Sequence, residues 1–212
     1  MIMISLLSLA HSLPHAILIS LALLNPISAT SSTSCTLPPA IPPATIQTSG
    51  AVLPLSALPD FYYQPPIDLP SADLLNLQVS ESQIRNKLSL YSLAVDGKDF
   101  DSLSYVFSEG VVADFSTPVG VVSGLTNLKE GVRAALEGLQ THTQLGTQVI
   151  NIYANNTCTA SSLTYFIVNF NVTGEGTTGY ITGQFRDRWF KNEAGEWFSV
   201  LRLAYIFGTV ES

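Results

Sequence analysis

From residue 73 onward, apolar positions recur first at helical and then at strand spacing. Ile84, Leu88, Tyr91 and Val95 repeat every three or four residues, behind the capping-box pattern Ser80-Glu81-Ser82-Gln83. They predict a first helix that ends at Gly97. Phe100, Leu103, Tyr105, Val106 and Phe107 predict a short second helix over 99–107, with Asp99 and Asp101 as its cap and solvent face. Residues 111–115 read as a strand, and Thr117-Pro118-Val119-Gly120 turns the chain. Asn127 to Glu130 form a second capping box. It opens a third helix carrying Leu128, Val132, Ala135, Leu136 and Leu139. Four stretches rich in Val, Ile, Tyr, Phe and Thr finish the chain, at about 142–154, 160–173, 179–191 and 196–208. Glu193 to Glu196 make the hairpin turn between the last two. Helices first and strands last predict an α+β fold rather than a βαβ one. Three helices would pack on one face of a curved antiparallel sheet, with a pocket between.

Before residue 73 the pattern is different. Met1 to Leu24 is apolar apart from a few Ser, His11 and His15, and the stretch from Ala16 to Leu24 has the length of a signal-peptide core. Ala29 suits the last position before a cleavage. Residues 1–29 are therefore read as a signal peptide, although no Lys or Arg precedes the core. An uncleaved anchor is the alternative reading, and Pro14 and the two His weigh against it. Residues 30–72 are Ser/Thr-rich and then Pro-rich, and eleven of the twelve prolines precede residue 71. This segment reads as an extended tail or linker, with 73–212 as the single folded domain.

Charge adds compartment and partner class. The chain of 212 residues is 46% hydrophobic and only 12% charged, with a net charge of −7. The first charged residue is Asp60. An acidic chain without a basic run argues against nucleic acid, or an anionic membrane surface after cleavage, as partner. Asn155-Asn156-Thr157 and Asn171-Val172-Thr173 are glycosylation acceptors by sequence. Cys35 and Cys158 are an even pair that fits a disulfide in the secretory route, so a secreted or ER-lumenal protein is expected. Such a bridge would strap the tail onto the domain, with Phe61-Tyr62-Tyr63 filling an apolar groove on the way.

The order of motifs is familiar. Tyr91 to Leu103 reads YSLAVDGKDFDSL; Phe107, Asp114, Gly124 opening a helix and His142 opening a strand follow, and then Gly183-Gln184-Phe185-Arg186-Asp187, Gly195-Glu196-Trp197 and Arg202. Over about residues 76–208 this set resembles the SnoaL-like branch of the nuclear-transport-factor-2-like (NTF2-like) superfamily. The resemblance implies an α+β cone: three N-terminal helices on a strongly curved mixed or antiparallel sheet around a deep apolar pocket. It implies a ligand that is small and apolar or polyketide-like, and dimerisation through the outer sheet face. Compared with scytalone dehydratases, Asp96 matches the Asp at the end of the first helix, while Val95 stands in place of a catalytic Tyr. Asp114-Phe115 matches an Asp-Tyr pair, so a second catalytic Tyr is Phe here. His142 matches the first catalytic His, in His142-Thr143-Gln144-Leu145-Gly146-Thr147. The second catalytic His has no counterpart.

His142 and Asp96 are thus the expected proton-transfer pair. An imidazole titrates near neutrality, and a carboxyl in an apolar pocket serves as acid or base. The bland alternatives are a surface His and a turn-forming Asp. Tyr91, Asp114, Tyr165, Asp187 and Arg202 are further pocket candidates; Asp187 with Arg202 equally reads as a structural ion pair, and the tyrosines as core. One His and two Cys left after cleavage give no zinc site, and no phosphate loop or nucleophile elbow is present. The expected function is a cofactor-free isomerase, dehydratase or cyclase in secondary metabolism. The alternative is a secreted lipid- or metabolite-binding or effector module of the same fold.

Overall fold

The computed structural model describes residues 35–36, 71–116, 119–153 and 157–212. The expected signal peptide, the rest of the tail with Phe61-Tyr62-Tyr63, and the acceptor Asn155 lie outside the described residues. Helix α1 runs Ser71–Asp96, a 3-10 helix Phe100–Tyr105, strand β1 Phe107–Asp114, β2 Val121–Ser123 and helix α2 Leu125–Ala135. The strands β3 Leu139–Ile152, β4 Thr159–Val172, β5 Thr178–Lys191 and β6 Trp197–Glu211 follow. Among the described residues, no helix is long and apolar enough to cross a membrane.

The six strands form one sheet in the order β2-β1-β6-β5-β4-β3. All pairs are antiparallel except β1 with β6, which run parallel in the register Ala113↔Arg202. The sheet is therefore mixed. Edge strands β2 and β3 do not pair, so it curves without closing. Curvature has a local cause. Gly183 faces Phe166 across the β4–β5 pair, and a Cβ there would fall into the Phe166 ring and onto the Tyr205 carbonyl. Only a residue without a side chain lets the ring lie flat against the neighbouring strand. A bulge at the same place, between Thr182 and Gly183, bends the β5–β6 pair.

The core lies between the helices and the concave face. Ile84, Leu88, Tyr91 and Val95 of α1 are buried, and Leu125, Leu128 and Val132 of α2 join them. Phe166, Phe185, Trp189, Trp197 and Ala204 meet them from the sheet. Arg85 adds a polar tie, its Nη1 donating to Gln148 Oε1 at 3.0 Å.

Several sequence expectations need correction. Helix α1 begins at Ser71, nine residues before the capping box and two before the expected domain start at 73. Helix α2 begins at Leu125 behind Gly124 (φ 85), with no side-chain cap; Asn127 instead donates to the Ser123 carbonyl at 2.8 Å. The second helix is a 3-10 helix, capped by Asp99, which accepts from the Ser102 N–H at 3.3 Å. Strand β2 was not expected, because three residues give no alternation to read. Strand β3 starts at Leu139, so His142 lies inside the strand and does not open it.

The turn after α1 has Schellman geometry. Asp99 N–H donates to the Ala94 carbonyl at 2.9 Å and Lys98 N–H to that of Val95 at 3.3 Å. The pattern needs a left-handed residue, and Lys98 (φ 60) supplies it directly after Gly97. A non-glycine residue there costs about 1–2 kcal/mol.

Candidate functional site

Period two along each strand divides the sequence candidates between the two faces. On the concave face one cross-strand row reads Ile150, Ser162, Asp187, Arg202, Ala113. On the convex face another reads His142, Asn169, Tyr180, Val210.

Asp96 ends α1 over the concave side. Its carboxylate accepts the Thr143 N–H at 2.7 Å and the Thr143 hydroxyl at 2.9 Å. Thr143 therefore points toward the helix, and its neighbour His142 points away. His142 is exposed, in a groove of about 640 Å³ shared with Gln140, Asn169, Asn171, Tyr180 and Ser212. The expected His142–Asp96 pair is thus not brought together: Asp96 is bonded to Thr143, and the His142 side chain stands on the other face of β3. A one-residue step along a strand moves a side chain to the other face, so His142 stands on the face opposite Thr143.

Tyr91, Asp187 and Arg202 are on the concave side. Arg202 is fully buried; its Nε donates to Asp187 Oδ1 at 2.7 Å and its Nη2 to Oδ2 at 3.2 Å. Ser199 Oγ adds a bond to Asp187 at 3.1 Å. The guanidinium lies 4.2 Å from the centre of the Tyr91 ring, 4.4 Å from Phe185 and 4.9 Å from Phe107. A buried cation needs such compensation: a bidentate carboxylate and three ring faces replace its water. Nη1 has no partner among the described residues. Burial raises the Tyr91 phenol above its ordinary pKa, against the opposing charge of Arg202.

Asp114 and Tyr165 fall on the convex side, against expectation. Ala113 pairs inward with Arg202, which turns Asp114 outward beside Leu203. Asp114 is nonetheless buried, and its Oδ1 accepts the Ser116 N–H at 2.8 Å. Tyr165 is exposed and meets Phe207 edge-on at 5.9 Å. Asn171 is exposed near the end of β4, open to modification. Cys35 and Cys158 are joined, with a Cα–Cα distance of 5.6 Å, which ties the tail to the turn before β4.

Two residues were missed by sequence reasoning. Thr143 holds Asp96 partly through its backbone N–H, which no side-chain motif reports; Leu145, apolar and two residues on, does mark the inward parity. Lys98 looks like turn filler in sequence, yet its Nζ donates to Thr141 Oγ1 at 3.2 Å in a partly buried site.

Comparison with known proteins agrees with this fold. Among solved structures, a type 2 hexachlorocyclohexane dehydrochlorinase (LinA) is 11% identical, with TM-score 0.59 over 65% of this chain and 92% of that one. A putative scytalone dehydratase from Novosphingobium aromaticivorans is 17% identical, with TM-score 0.58 over 65% and 90%. An NTF2-like superfamily protein from Salmonella enterica is 16% identical, with TM-score 0.51 over 63% and 92%. At these identities the likeness is one of fold. No curated protein matches the chain in sequence. The SnoaL-like domain family matches residues 79–202, which spans α1 to the buried Arg202 of β6. The chain belongs to the SnoaL-like domain family.

Proposed function

We propose that the chain is a small-molecule isomerase, dehydratase or cyclase of secondary metabolism that works by cofactor-free proton transfer, with Asp96 as the transferring group. The observation that carries this reading is the fixing of the Asp96 carboxylate by two bonds from Thr143 on the concave side. Each oxygen keeps a lone pair for a substrate proton, and the two bonds hold its orientation. A carboxylate so placed removes a proton from a carbon next to a carbonyl and returns it to another carbon, or passes it to a β-hydroxyl that leaves as water while the C=C bond forms. His142 has no part in this reading.

The test is solvent deuterium incorporation into β,γ-unsaturated and β-hydroxy ketones, followed by NMR. The full chain should exchange the activated C–H faster than buffer, and Asp96→Asn should lower that rate by about 100-fold or more. An Asp96→Asn variant as fast as the native chain removes Asp96 from the reaction.

A second reading, binding without turnover, is favoured by one observation. Asp187 and Arg202 satisfy each other, and no His reaches the concave side among the described residues. Ligand affinity with no exchange in any substrate class would select it. On the convex face, exposed Tyr165, Ile167, Tyr180, Phe207 and Val210 support a homodimer through that face. Light scattering that gives one protomer plus glycan would exclude the dimer. The disulfide and the exposed Asn171 fit a secreted glycoprotein.

A further inference from the structure

Lys98 is held in its turn against the local preference of the chain. The left-handed position suits glycine, and a glycine stands one residue earlier, yet position 98 carries a lysine. Its side chain is directed. Nζ donates to Thr141 Oγ1, which uses one of the three ammonium N–H groups. Among the described residues no carboxylate lies within ion-pair distance of Nζ. Burial lowers the Lys98 pKa, with the charge of Asp96 acting in the opposite sense. With one bond made, Lys98 keeps donors to spare.

Lys98 lines an open groove of about 610 Å³. Phe100, Leu136 and Leu139 give this groove apolar walls, and Arg133 lies across the Phe100 ring at 5.3 Å. Glu130, one turn before Arg133, and Glu137, just after α2, also line the groove, so its two cations and two carboxylates balance. Of the cations, Arg133 lies on the Phe100 ring, and Lys98 with its spare N–H donors is the one placed to meet a ligand. Thr141, which holds Lys98, and Thr143, which holds Asp96, are alternate residues on the inward side of one strand, about 7 Å apart.

We infer that this groove binds a small organic anion with an apolar body, its anionic group on Lys98 Nζ and its body along Phe100, Leu136 and Leu139. Neither Asp96 nor Thr143 lines this groove, so the inference stands apart from the proposed function.

A matched pair of fluorescent probes tests the anion site without knowledge of the substrate. Anilinonaphthalene sulfonate and N-phenylnaphthylamine share one aromatic body and differ in the anionic group. The full chain should bind the sulfonate about tenfold more tightly. Lys98→Asn, which tolerates the left-handed turn, should remove that preference, and Lys98→Arg should keep it within about threefold. Lys98→Gly should also lose the preference while its Tm stays level or rises by about 2–4 °C, which separates loss of the charge from loss of the fold. Equal affinities for the two probes in the native chain, no saturable sulfonate binding, or a Lys98→Asn variant that keeps the preference would each overturn the inference. The outcomes separate from those of the catalytic test. A Lys98-dependent sulfonate preference alongside an Asp96→Asn variant that still exchanges deuterium leaves the anion site standing and removes the catalytic role. Deuterium exchange lost in Asp96→Asn alongside equal probe affinities does the reverse.

Discussion

His142 and Thr143 are neighbours in sequence and stand on opposite faces of β3. Thr143 faces α1 and holds a carboxylate with two bonds. His142 faces solvent in a shallow row with Asn169 and Tyr180. The concave side carries a buried ion pair, a caged guanidinium, a buried phenol and a fixed carboxylate. The convex side carries exposed aromatics and the histidine that the motif comparison singled out. Chemical type alone joined His142 to Asp96; the face on which each residue stands separates them.

The comparison is broken most severely at the ion pair. Asp187→Ala leaves the fully buried Arg202 charge without its carboxylate and should cost about 3–5 kcal/mol in urea unfolding. A loss below about 1 kcal/mol would mean that the three rings suffice for Arg202.

Next in size is a pair of glycines. Gly183→Ala drives a methyl into the Phe166 ring and the Tyr205 carbonyl on the concave side, and should cost about 2–3 kcal/mol. At Gly208, in register with Thr182 on the convex side, an added Cβ meets nothing within 4 Å, so Gly208→Ala should stay within about 0.5 kcal/mol. Equal costs at the two positions would contradict the facing assigned to them.

Thr143→Val removes one of the two bonds to Asp96 and keeps the backbone bond. It should lower stability by about 1 kcal/mol, read as a Tm decrease of about 2–4 °C.

The smallest effect is alkaline. Burial raises the pKa of Tyr91, so at high pH the unfolded chain releases that proton before the folded chain does. The stabilisation is complete below about pH 10 and is lost as the pH rises through the folded value. Tyr91→Phe should flatten the fall in stability measured above about pH 10 by denaturant titration. An unchanged slope would mean that the phenol is wetter than its burial implies.

Much of the fold was legible from periodicity. The spacing of Ile84, Leu88, Tyr91 and Val95 marked the buried face of α1, and β-branched and aromatic runs marked four long strands. The parallel pairing of β1 with β6 was not legible, because nearly ninety residues separate Ala113 from Arg202 and no local pattern encodes their contact. The first turns of α1 escaped because Leu74, Leu75 and Val79 are exposed and break the one-sided stripe. At the site, Asp96 was legible from its place at a helix end before glycine. Its partner was not, since half of the tie is a backbone N–H. Lys98 was hidden because a left-handed lysine has no sequence signature beside an ordinary turn lysine.

The central claim is that proton transfer belongs to the concave side and leaves His142 out. Diethyl pyrocarbonate modification tests it directly, with His142 followed by peptide mass and deuterium incorporation followed in the same samples. The account predicts that His142, exposed on the convex face, is modified fast and to completion while the exchange rate is unchanged. A rate that falls in step with His142 modification, or a ligand that shields His142, would contradict it.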